Sequence, residues 1–389
     1  MNCNKSKKSI CFITDAIIMG GVEKVLIDSL KYIYHKSQYA ENELEIYVYV
    51  LHYVNEKIAE MIPPNVKVVE CNLPNNSIKT LLMNMPYISR FFYKKIFNGK
   101  KFDCVISLKP EYLCVAYSPL FRKKVHWYHA DTYLKYSDCT NITFFDRMKK
   151  LILKLGLKKN DMVWTVSPTI AENMQETFSL HNVHALPNPI SCSDIIEKSQ
   201  QPCDVVFDKN AFNVVCIGRL SPEKGFDRMI NAFSDGRLIE SNVHVYFIGG
   251  GLQESKYKAM VEQNNWNDNI HFLGIQTNPY PYLKQASVLV CPSRDESFGL
   301  TMFEAMTLGV PVISTATFGG RYVTQNGTVA CMIDNSDTSK ELAERILSLV
   351  SSCSNYNYSL EKAKEWALKH DVSLFGERFV SLLNDILYM

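Results

Sequence analysis

Short apolar runs recur along this chain at intervals that amphipathic stretches fill. SICFIT (9–14), EIYVYVL (45–51), VKVVE (66–70), CVISL (104–108), KVHWYH (124–129) and MVWTVS (162–167) read as buried strands. Between the first two, GVEKVLIDSLKYIYHK (21–36) repeats its apolar residues at helical spacing. Strands that are apolar on both faces must be covered on both faces, so the alternation predicts a mainly parallel sheet with crossover helices. The pattern breaks at the polar, proline-containing stretch 186–213. It then restarts with VVCIGRL (214–220), VHVYFIGGG (243–251), IHFLG (270–274), SVLVCPS (287–293) and PVIST (311–315). Helices fit at about 225–235, 253–264, 278–285 and 299–308.

A chain of 389 residues exceeds one ordinary core. The expected organisation is therefore two doubly wound α/β domains, residues 1–190 and 213–368, joined by a linker at 191–212. Two such domains facing each other would form a cleft at the C-terminal ends of their strands. The apolar face of 364–389 predicts a closing helix, with 369–389 as a separate last segment.

Composition narrows the function classes. The 47% hydrophobic and 21% charged residues describe a soluble globular chain. No apolar run reaches the roughly 18 residues of a membrane span. The start, MNCNKSKKSICFITDAII, resembles a signal peptide, but Asp15 interrupts it; it reads as a basic tail before a first strand. The 12 cysteines include no CxxC pair and read as reduced, mostly buried thiols of a cytoplasmic protein. Residues 79–159 hold 17 Lys/Arg against 5 acids, a net +12, while the whole chain is only +2. Such a zone implies an anionic partner. No nucleic-acid reader motif accompanies it, which argues against nucleic acid.

Three strand-to-helix junctions carry candidate chemistry. Gly20 and Gly21 form a glycine turn before a helix start, where free N–H groups suit a phosphate. GRLSPEKG (218–225) flanks a second such turn with Arg219 and Lys224, cations suited to a diphosphate. Its spacing does not match a P-loop. The third, DESFGLTMFEAM (295–306), places Glu296 before a helix expected to start near Phe298 and Glu304 within it. Unpaired N–H groups of Phe298, Gly299 and Leu300 would then face a ligand. With Glu304 a turn and a half up the axis, the two carboxylates do not read as a glycosidase pair. They read as acceptors at the two ends of an elongated hydroxyl-rich ligand with an anion between them, the layout of a nucleotide sugar.

The ordered set GGVEK, VSPTIAENM (166–174), LPNPI (186–190), GRLSPEKG, FIGGG (247–251) and DESFGLTMFEAMTLGVPVIST resembles the retaining GT-B glycosyltransferases, the group with capsule, lipopolysaccharide and lipid-linked sugar transferases. The resemblance spans nearly the whole chain and centres on E-x7-E. It implies a GT-B fold whose C-terminal helix packs back on the first domain. It implies that Glu304 holds the donor ribose and Glu296 the donor sugar, with Ser297 beside it. It implies that Arg219 and Lys224 stabilise the diphosphate with Gly20, Gly21 and the N–H groups of Phe298, Gly299 and Leu300. His129 would contact the reacting sugar, and Asp131 would assist the acceptor.

The implied reaction is transfer of a hexose or N-acetylhexosamine, with retention, from a nucleotide-diphosphate sugar, UDP-linked by preference. The acceptor would be a glycan or a polyprenyl-linked glycan in cell-surface polysaccharide synthesis. No metal and no cofactor is expected, since no acidic D-x-D motif stands in the metal-binding context and neither DTY nor DNSD qualifies. One departure concerns ATFGGRYVTQNG (316–327), where Arg321 replaces the glutamate common in relatives. Two other readings remain: a non-hydrolysing nucleotide-sugar epimerase, and an inactive nucleotide-sugar- or glycan-binding subunit.

The basic zone includes RFFYKKIFNGKK (90–101) and FFDRMKKLILKLGLKK (144–159). Leu151, Ile152 and Leu155 among lysines have the composition of an interfacial helix. These two stretches are expected to meet an anionic membrane surface, placing the protein peripherally on the inner face of the cell membrane.

Overall fold

The structure is a computed structural model that describes residues 7–18, 20–35, 44–73, 85, 87–129, 144–336, 338–351 and 359–388. The chain divides into two compact units. One comprises Met1–Pro189 with Ser373–Met389, the other Ile190–Val372.

In the first unit the strands are β1 (Lys8–Ile17), β2 (Leu44–Val54), β3 (Val66–Glu70), β4 (Phe102–Ser107), β5 (Phe121–Tyr128), β6 (Met162–Thr165) and β7 (Val183–Ala185). They form one sheet in the order β3-β2-β1-β4-β5-β6-β7, with every pair parallel. The order reverses between β1 and β4, so a switch point lies beyond the C-terminal ends of those two strands. A register shift between Thr14 and Ala16 re-aims Asp15 at that end of β1.

The core on one face of this sheet joins β-branched strand residues to Trp127, Trp164, Phe375 and Phe379, all buried. Phe379 stacks on Trp127 at 5.7 Å and meets Trp164 edge-on at 5.8 Å. The Val372–Tyr388 helix therefore completes the first unit, as expected of the closing helix. Gly376 lets it pass over the Tyr32 ring of the Gly21–His35 helix, where any side chain would collide.

The second unit holds β8 (Phe212–Ile217), β9 (Val243–Ile248), β10 (Ile270–Gly274), β11 (Val288–Cys291), β12 (Val312–Thr315) and β13 (Cys331–Ile333). Their order is β10-β9-β8-β11-β12-β13, again parallel throughout, with the reversal between β8 and β11. Both units are thus doubly wound α/β layers. The edge strands β7 and β13 are three residues each, too short to register as apolar runs.

The stretch 191–212 is not a free linker. It carries the Cys192–Lys198 helix and folds with the second unit. Phe207 is the reason: it is buried and stacks on Tyr246 at 3.7 Å. The second unit accordingly begins at Ile190 and ends at Val372. Ile190 N–H donates to the His370 carbonyl, and Val372 N–H to the Ile190 carbonyl, both at 2.9 Å, pairing the outgoing and returning segments.

Candidate functional site

The second unit's switch point is built from glycine. Beyond β8 the chain turns at Gly218 (φ 154°), and beyond β9 at Gly249 (φ 139°). A side chain on Gly249 would strike the Gly218 carbonyl, so the two loops touch backbone to backbone. Leu220 N–H donates to the Gly250 carbonyl at 3.0 Å, fixing the contact. FIGGG thus seats the GRLS loop. The Pro222–Lys224 turn then ends at Gly225 (φ 65°), which rests against the Pro292 carbonyl after β11.

This path folds Lys224 back over Gly218 and delivers its ammonium to Glu296, 2.6 Å from Oε2. Burial alone would push the lysine pKa down. The Glu296 carboxylate outweighs that and holds it above the ordinary range. Arg219 stays mostly exposed, its side chain 76% accessible, and pairs with Glu223 at 3.2 Å.

The helix after β11 runs Leu300–Thr307, two residues later than expected, because Gly299 sits in the left-handed region (φ 84°) as its N-cap. The Gly299 N–H is also not unpaired. It donates to Glu296 Oε1 at 3.2 Å. Glu296 therefore holds Lys224 with one oxygen and the helix start with the other. Its carbonyl accepts from Gly319 N–H at 2.6 Å. Phe298 turns its ring inward, against Phe303 at 5.2 Å and Tyr322 at 5.8 Å, while Ser297 and Leu300 are half-buried. Glu304 is buried within the helix, four residues in and about 6 Å along its axis. Tyr280 donates to its Oε1 at 3.1 Å. Cys291 lies beneath, its thiol pushed up to about 11 by burial and then by the Glu296 charge.

The first unit holds the other predicted residues. Gly20 and Gly21 open the Gly21–His35 helix, and Gly20 leaves room for the Glu23 carboxylate packed against it. Lys109, after β4, lies 3.3 Å from Asp15 and 3.5 Å from the buried Glu23. His129 follows β5. Both its ring nitrogens are enclosed, and neither has a hydrogen-bond partner among the described residues. Burial, then the Lys109 charge, then His126 push its pKa down to about 3, so the imidazole is neutral. Asp131 lies outside the described residues.

The structure thus joins Lys224 to Glu296 and puts Arg219 on the turn beside them. It assigns His129, Gly20 and Gly21 to a separate unit. Sequence reading missed the Asp15–Glu23–Lys109 cluster, although GGVEK contained Glu23. It also missed why the ATFGGRY stretch has two glycines. Gly319 lies against the Glu296 carbonyl and Gly320 against the Thr315 carbonyl, contacts that a Cβ would block. Among the described residues no group of three or more His, Cys, Asp or Glu has metal-holding geometry.

Two parallel, doubly wound units with the last helix returned to the first define the GT-B class, and solved structures agree. The Anabaena HepE structure in complex with UDP superposes with a TM-score of 0.70 at 18% identity, covering 97% of this chain and 100% of that one. Residues 198–366 match the glycosyl transferases group 1 family, in a chain whose fold is of the GT-B class. Curated relatives include the lipopolysaccharide core biosynthesis glycosyltransferase LpsD of Rhizobium meliloti, 26% identical over 44% of this chain and 48% of that one. A 4-alpha-N-acetylgalactosaminyltransferase of Campylobacter jejuni, named as acting on a diphospho-undecaprenol-linked sugar, is 22% identical over 67% of this chain and 71% of that one. Against two curated relatives the chain spans a third and about half of their length, 33% and 48%.

Proposed function

We propose that this chain transfers a hexose or N-acetylhexosamine from a UDP-linked sugar to a glycan or lipid-linked glycan in cell-surface polysaccharide synthesis, with retention and without a metal. The observation that carries the reading is the Lys224–Glu296 pair at the β8/β11 switch point. At rest each neutralises the other. An arriving diphosphate competes for Lys224 and the adjacent Arg219, and both are placed to take charge from it. Glu296 then turns its acceptor capacity toward sugar hydroxyls, and the Gly299 N–H it releases faces the phosphate. Glu304, held by Tyr280, supplies a fixed acceptor for the ribose diol.

In the reaction, the bond from the anomeric carbon to the diphosphate oxygen breaks. The acceptor oxygen bonds to the same face, and its proton passes to the leaving diphosphate. Lys224 and Arg219 stabilise the charge that develops there. Thermal-shift titration with UDP-, GDP- and ADP-sugars, comparing wild type with Glu304→Ala, tests the site. Wild type alone should be stabilised, and no shift with any nucleotide sugar overturns it. Anomer analysis of the product tests retention, and activity in EDTA tests metal independence.

No helix among the described residues is long and apolar enough to cross a membrane. The Phe144–Lys158 helix exposes Met148, Leu151, Ile152 and Leu155 (45, 51, 38 and 47%) among Arg147, Lys149 and Lys154. Phe91 of the Ser89–Ile96 helix is 65% exposed. Apolar side chains left in water among cations fit an anionic leaflet on the inner face of the cell membrane. Sedimentation with anionic but not neutral liposomes supports the reading. Absence of binding, with activity on soluble acceptors intact, rejects it.

A further inference from the structure

The loop that carries Glu296 is pinned from outside the site. The Arg228 guanidinium, in the first turn of the Phe226–Ala232 helix, donates to the carbonyls of Pro292 (3.2 Å) and Ser293 (3.4 Å). It also donates to Asn335, to Oδ1 and to the carbonyl, both at 2.7 Å. Asn335 in turn donates through Nδ2 to the Arg294 carbonyl at 3.1 Å. Three consecutive carbonyls, at 292, 293 and 294, are therefore held by Arg228 and Asn335 immediately before Glu296. Thr315 Oγ1 also donates to the Ser293 carbonyl, at 2.5 Å. On the opposite edge the Arg294 N–H donates to the Glu223 carbonyl at 2.8 Å, one residue before Lys224.

Within DNSD, Asp334, Asn335 and Ser336 have a role that their sequence concealed. Asp334 Oδ1 accepts from Ser336 N–H and Oγ, both at 2.7 Å, shaping the turn that presents Asn335. These contacts tie together segments from after β13, before β9 and after β11. What they fix in common is the 292–296 backbone.

We infer that Arg228 and Asn335 are positioning residues that hold the Glu296 carboxylate in register with Lys224 by gripping the carbonyls of residues 292–294. The inference rests on the donor-site reading of Glu296 and Lys224. A carboxylate on an unpinned loop would spend time away from the lysine and from the donor. Misplacement of about 1 Å at a reacting centre costs on the order of a hundredfold in rate.

The test uses the full chain with Arg228→Met and Asn335→Ala, the second guarding against poor folding of the first. Amide hydrogen exchange in the ligand-free protein should speed up at 294–299 in both variants, while β8 and β9 stay protected. With the active donor, kcat/KM should fall by about 10- to 100-fold for Arg228→Met and less for Asn335→Ala, with the acceptor KM unchanged. In a cycle with Glu296→Gln, the double variant should lose no more than Glu296→Gln alone, because Arg228 acts through that carboxylate. Unchanged loop exchange, or losses that multiply in the cycle, overturn the inference. If exchange rises but wild type uses no nucleotide sugar, the donor-site reading fails and takes the positioning role with it, leaving a purely structural clamp.

Discussion

Lys224 compensates the half-buried Glu296 carboxylate, and in the proposed reaction the same ammonium would compensate a leaving diphosphate. Lys224→Met should therefore lower donor kcat/KM by about 10²-fold or more. It should also cost about 2 kcal/mol of stability, because Glu296 loses a charge-assisted hydrogen bond. Steady-state kinetics and denaturant melts check the two effects separately. Gly225 is the residue that makes the lysine's path available. Its positive φ and its contact with the Pro292 carbonyl leave no place for a methyl group. Gly225→Ala should destabilise by at least about 2 kcal/mol, measured by urea unfolding. The candidate residues themselves were legible in sequence, because a cation-flanked turn and E-x7-E are local patterns. Their resting partners were not, since nothing local says that Glu296 spends its two oxygens on Lys224 and Gly299.

At the level of elements, the strongly periodic helices were legible but their starts were not, and the short Cys192–Lys198 helix was read as linker. The Leu300–Thr307 helix shows why. Its apolar spacing announces it, but the first residue is set by a left-handed Gly299, a backbone state with no periodic signature. The Val372–Tyr388 helix gives the converse lesson. Periodicity showed an amphipathic helix, and only packing decides which sheet it covers. Phe379→Ala should cost the first unit about 3–5 kcal/mol. A red shift of Trp127 and Trp164 fluorescence at lower denaturant would report the loss. An unshifted transition would mean that the helix does not support that core.

On the scale of the whole molecule, acid stability should be limited by the first unit. Burial lowers both His126 and His129 from the usual 6.5 to about 3. The sign follows directly. The unfolded chain binds a proton on each below about pH 6.5 and the folded chain does not, so stability falls as pH drops from there toward 3. Each histidine should cost about 2 kcal/mol by pH 5. Denaturant melts at pH 7 and pH 5 test this, with His126→Gln expected to recover about half of the loss. For the same reason, the acid limb of the activity profile should show no group near 6.5 arising from His129.

The two parallel sheets, the switch-point loops and the charged residues on them could be read from the amino-acid order alone. These depend on apolar periodicity and on residue type at short range, and both are written in consecutive residues. Tertiary structure alone decided the rest. It assigned 191–212 to the second unit through Phe207, closed the first core with the last helix, and brought Arg228, Arg294, Asn335 and Gly319 around the Glu296 loop. Those partners lie up to 107 positions apart and meet largely through backbone carbonyls, which every residue carries. No residue type marks such a contact in advance, so only the folded chain can show it.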